Sequence, residues 1–98
     1  MNDFDWVLLV DDDKINNYIN ERLIKKLNLA SQINVAFNGE EALEALEQLI
    51  TTESKSNGFI FLDINMPVMD GFEFLEVFKE KYQSINGKVT IVMLTTST

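Results

Sequence analysis

The chain has 98 residues, 46% hydrophobic and 24% charged, which is the size and composition of one small globular domain with a single core. A formal net charge of −8 argues against direct nucleic-acid binding, and the absence of cysteine and histidine excludes disulfides, thiolate metal sites, the usual zinc ligand and any phosphohistidine made on this chain. No apolar run approaches the about 20 residues of a membrane helix, and the acidic start MNDFDW differs from a secretory signal, so a cytoplasmic, non-membrane protein is expected.

The first element is WVLLV, Trp6 to Val10, an unbroken apolar run that predicts a buried strand. Ile15, Ile19, Leu23 and Leu27 then recur every fourth residue, with Ile24 beside them, as one face of an amphipathic helix. INVAF, Ile33 to Phe37, alternates like a strand. Asn38 with Glu41 three positions on forms a capping-box pattern, and Ala42, Leu43, Ala45, Leu46, Leu49 and Ile50 make the apolar face of a second helix. The polar stretch 51–58 reads as a fraying helix end and loop.

FIFL, residues 59 to 62, predicts a third strand buried on both faces and ending on Asp63. Asp70 and Glu73 repeat the capping pattern and open a third helix with Leu75, Phe78 and Tyr82 facing inward. The phenylalanines and methionines of 59–78 are expected to be core. SINGK, 84–88, is a turn, and VTIVML, Val89 to Leu94, is a fourth strand. Strands that alternate with helices predict a parallel sheet covered on both faces.

Sites in such sheets form at the carboxyl ends of the strands. Asp11, Asp12 and Asp13 follow the first strand, Asp63 ends the third, and Thr95, Thr96 and Ser97 follow the fourth. If the first and third strands are neighbours, Asp11, Asp12 and Asp63 converge on one pocket. Crowded carboxylates repel, and a divalent cation relieves this; oxygen donors without histidine or cysteine favour Mg²⁺ or Mn²⁺ over zinc. A carboxylate fixed at a strand end beside such a metal can act as a nucleophile and become an acyl phosphate. Pro67 stiffens the following loop, Asp70 pins its far end, and the Thr95 hydroxyl is a donor toward a phosphoryl oxygen. Asp13 is assigned to the helix cap or the pocket rim. Asn16, Asn17 and Asn20 read either as part of a kinase-docking face or as a solvated face.

VLLVDDD, FLDINMPVMDG and IVMLTTS together resemble the response-regulator receiver domain of two-component signalling over essentially the whole chain. The resemblance implies a flavodoxin-like doubly wound sheet with strand order 2-1-3-4. It implies phosphorylation of Asp63, with Mg²⁺ held by Asp12, Asp63 and the backbone carbonyl of Asn65. Asp11 would act on metal-bound water, and Thr95 would be the switch hydroxyl. The phosphoryl donor would be a histidine kinase or histidine phosphotransfer protein, and the domain would assist only its own phosphotransfer and dephosphorylation rather than serve as an enzyme.

Two departures stand out. Thr96 occupies a position where the family usually has a small residue. The family's fourth helix, fifth strand with its following lysine, and fifth helix are missing from these 98 residues, so residues 1–98 are expected to be a receiver domain incomplete at the C-terminus. An exposed fourth-strand edge and an uncovered first helix are then expected, with a homodimer burying those surfaces if the chain stands alone.

Two other function classes stay open at this point. VLLVDDDKI loosely resembles a haloacid-dehalogenase-type phosphohydrolase, with Asp11 as nucleophile and Asp13 as acid/base, but that reading gives no role to DINMPVMDG. A receiver-like interaction module that takes no phosphate is the third class. A calcium-loop reading of DDDKINNYINER fails, because Asn16 stands where glycine is needed and Arg22 where the bidentate glutamate is needed.

Overall fold

A computed structural model describes residues 4–52, 57–63, 70–82 and 89–94. The elements follow in the order β1 (Phe4–Val10), α1 (Lys14–Leu27), β2 (Ala30–Ala36), α2 (Gly39–Thr52), β3 (Gly58–Asp63), α3 (Gly71–Lys81) and β4 (Val89–Leu94). All pairings are parallel and the sheet order is β2-β1-β3-β4, the flavodoxin-like arrangement expected. β4 pairs with β3 and forms one edge of this four-stranded sheet.

Strand alternation divides the core into two. Trp6, Leu8 and Val10 of β1, with Ile60 and Leu62 of β3, meet Ala42, Leu46 and Leu49 of α2 and Phe74 and Phe78 of α3 on one face. Val7 and Leu9 meet Ile24 of α1 on the other, with Ile33, Val35, Phe59 and Phe61 packed partly against them.

Capping chemistry sets the helix starts. The Asp13 carboxylate accepts from the backbone N–H of Ile15 and Asn16. Asn38 Oδ1 accepts from Glu41 N at 2.9 Å, while Glu41 Oε1 reaches back to Phe37 N, one residue beyond the standard capping box. Asp70 and Glu73 form the full reciprocal box that the sequence predicts.

Several boundaries and faces differ from expectation. β2 begins at Ala30 rather than Ile33. Asn28 adopts the left-handed conformation (φ 58°) and ends α1 in a Schellman turn, with Leu29 N donating to Ile24 O and Asn28 N to Lys25 O. That turn reverses the chain within two residues and lets pairing with β1 start early. In α3 the buried pair is Phe74 and Phe78; Leu75 is half-buried, because residues four apart share the sheet-facing side. Not every phenylalanine of 59–78 is core: Phe59 and Phe61 are half-buried and Phe72 is 58% exposed.

α1 turns the reverse of its apolar stripe to the sheet. Ile15, Ile19, Leu23 and Leu27 are exposed, whereas Asn17 and Ile24 are buried. At about 100° per residue, Asn17 lies nearly opposite both Ile15 and Ile19.

Gly58 pairs in register with Trp6, whose indole ring lies where a Cβ on residue 58 would fall. Gly58→Ala is therefore expected to lower stability by about 1–3 kcal/mol, as overpacking against a buried ring does. Thermal denaturation followed by Trp6 fluorescence measures this; an unchanged Tm would mean that the indole repacks freely.

Candidate metal and phosphoacceptor site

The parallel register pairs Val10 of β1 with Leu62 of β3, so the residues that follow, Asp11 and Asp63, emerge side by side at the carboxyl edge of the sheet. Asp11 N donates to Ala36 O at 3.1 Å, which carries the β1–β2 pairing one residue past Val10. Asp12 then leads into the α1 cap. Asp11, Asp12 and Asp63 each offer a carboxylate oxygen, and these oxygens lie within 4.8 Å of one another. Asp11 and Asp63 are buried, and Asp12 is exposed.

Like charges at such separations repel by on the order of a few kcal/mol per pair at the effective dielectric of a protein. The donor set consists of hard oxygens clustered at one point, which fits a Mg²⁺ or Mn²⁺ ion. Asp11 is held through both carboxylate oxygens. Its Oδ1 accepts from Asp13 N at 2.9 Å and its Oδ2 from Asn16 Nδ2 at 3.4 Å.

Of the residues expected in the site, Asp11, Asp12 and Asp63 are brought together. Asn65 and Thr95 lie outside the described residues, as do Pro67 and Thr96. Asp13 is the helix cap rather than a member of the cluster.

Asn17 corrects the expectation of a surface asparagine. It is 2% exposed, and its Nδ2 donates to Asp11 O at 2.8 Å and Ala36 O at 3.4 Å. One signal for this was present in the sequence: Asn17 stands seven residues before Ile24, hence on the same helical face.

A four-stranded parallel sheet with an acidic cluster at the carboxyl ends of two adjacent strands defines an α/β protein of the doubly wound class. Comparison with known proteins narrows this class. The family model for the response regulator receiver domain matches residues 7–98. Hybrid signal transduction histidine kinase A of Dictyostelium discoideum is 32% identical over 81 residues, covering 83% of this chain and 3% of that protein. A two-component response regulator from Cytophaga hutchinsonii superposes with a TM-score of 0.85 at 30% identity, over 99% of this chain and 72% of that one. The receiver domain of the histidine kinase CKI1 from Arabidopsis thaliana, in a structure complexed with Mg²⁺, gives 0.77 at 25% identity, over 94% of this chain and 70% of that one. The chain spans about a third or less of the length of the first curated relatives it matches.

The chain belongs to the response regulator receiver domain family. Its function is that of a phosphoacceptor domain in two-component signalling, and its fold is the receiver fold.

Proposed function

We propose that Asp63 is the phosphoacceptor, that Asp11, Asp12 and Asp63 hold Mg²⁺ (or Mn²⁺), and that a histidine kinase or histidine phosphotransfer protein supplies the phosphoryl group. One observation carries this reading: three carboxylates from two adjacent strand ends meet within 4.8 Å, and one of them ends a buried central strand. The Mg²⁺-bound receiver domain of CKI1 supports the choice of metal.

In the transfer, an Asp63 carboxylate oxygen attacks phosphorus and a P–O bond forms. The P–N bond of the donor phosphohistidine breaks, and its electron pair returns to the imidazole nitrogen. A bound Mg²⁺ supplies charge neutralisation for the phosphoryl oxygens. Burial of Asp63 in β3 fixes the nucleophile, while exposed Asp12 leaves the cluster open on the solvent side. The Asn65 carbonyl would complete the ligand set and the Thr95 hydroxyl would bond the transferred group. The domain acts as a substrate for its partner's phosphoryl group and assists its own transfer and dephosphorylation, rather than turning over a small-molecule substrate.

The phosphohydrolase reading is not favoured. It needs Asp13 as a mobile acid/base, and that carboxylate is engaged by two backbone N–H groups of α1.

The test is labelling with acetyl phosphate. The expected product is a hydroxylamine-labile acyl phosphate on Asp63, formed with Mg²⁺ and absent in excess chelator. Asp12→Asn should raise the Mg²⁺ concentration needed for half-maximal labelling by about tenfold or more, since it removes one anionic ligand. Labelling that is indifferent to both chelator and Asp12→Asn would remove the metal from the mechanism.

A further inference from the structure

We propose that Asn17 is a positioning residue for the metal-binding loop: its buried carboxamide clamps Asp11 to the end of β2 and so sets how Asp11 and Asp12 face Asp63. This rests on the reading of the three aspartates as a Mg²⁺ site.

The geometry converges on one point. Asn17 Nδ2 donates to Asp11 O at 2.8 Å and to Ala36 O at 3.4 Å, and Ala36 O also accepts from Asp11 N. The first turn of α1, the end of β1 and the end of β2 are thereby tied together next to the loop that carries Asp11 and Asp12. From the other side, Asp13 N and Asn16 Nδ2 hold the two Asp11 carboxylate oxygens. Asp11 is thus gripped through its main chain by Asn17 and through its side chain by its neighbours.

Packing alone does not call for asparagine here. Ile24, two turns along on the same face, is apolar and buried. Asn17 Oδ1 is buried with no hydrogen-bond partner among the described residues, an arrangement that costs stability. What the position gains from asparagine is its N–H donor. A ligand's supporting hydrogen bonds fix its orientation, and losing one typically weakens metal binding by about 10- to 100-fold.

Asn17→Leu keeps the γ-branched outline, with bulkier methyl groups in place of the amide nitrogen and oxygen, and removes the donor. It also removes the orphaned Oδ1 while leaving Asp11 O without that donor, so the two effects on stability oppose each other. The expected result is a Tm within about 5 °C of wild type together with an about tenfold weaker Mg²⁺ affinity by isothermal calorimetry. Labelling by acetyl phosphate should slow at subsaturating Mg²⁺ and recover at saturating Mg²⁺, a split that a general loss of structure does not produce. Asn17→Asp, the same shape with an acceptor facing two carbonyl oxygens, should bind Mg²⁺ at least as weakly. Wild-type Mg²⁺ affinity in Asn17→Leu overturns the proposal. So does loss of Mg²⁺ binding in both variants that merely tracks loss of their helical circular dichroism, which would make Asn17 a structural residue. A wild-type chain that binds no Mg²⁺ removes the metal site itself, and this role for Asn17 with it.

Discussion

Replacing Asp63 by asparagine is expected to abolish phosphate uptake. Labelling with acetyl phosphate, or by a cognate kinase, should fall to background. The carboxamide matches the carboxylate in size but has no anionic oxygen to attack phosphorus, so the acyl phosphate does not form. The variant also takes one of three negative charges from a cluster whose oxygens lie within 4.8 Å, so Mg²⁺ affinity should fall with it. Asp11→Asn, by contrast, leaves the nucleophile in place and should still accept label at high Mg²⁺. The decisive comparison is the labelled residue found by peptide mapping after the acyl phosphate is trapped. Label retained in Asp63→Asn but lost in Asp11→Asn would move the nucleophile to the first strand and revive the hydrolase reading.

The second large effect concerns the core beneath the site. Phe78 is fully buried in the cluster shared by β1, β3, α2 and α3, stacks on Phe74 at 6.2 Å and touches the Tyr82 ring at 5.5 Å. Phe78→Ala is expected to cost about 3–5 kcal/mol through lost burial and the cavity left behind. That is a large share of the about 5–15 kcal/mol by which a domain of this size is stable. A Tm lower by roughly 15–30 °C follows, measurable by circular dichroism. Ile19→Ala removes a comparable apolar side chain from α1, but Ile19 is 55% exposed and its loss should change stability by no more than about 0.5 kcal/mol. If the two substitutions had equal effects, α1 would bury a different face from the one described.

That contrast follows from which face of α1 packs on the sheet. The four-residue recurrence of Ile15, Ile19, Leu23 and Leu27 correctly specifies a helix, because periodicity follows from the geometry of a single element. It does not specify which surface that stripe meets. Packing against β1 and β2 took the side carrying Ile24 and Asn17 instead, and an asparagine that looked like a surface residue became the clamp on Asp11.

The sequence by itself determined the order of strands and helices, the caps at Asn38 and Asp70, and Asp63 as the acid ending a buried strand. Each of these rests on interactions among residues within a turn or two of one another. Only the tertiary structure decided the β1–β3 register that sets Asp11 and Asp12 beside Asp63, that Asp13 caps α1, that Phe74 rather than Leu75 joins Phe78 in the core, and that Asn17 points inward. All but the Asp13 cap join residues far apart in the chain, where strand pairing and side-chain packing choose among arrangements that local patterns leave equally open.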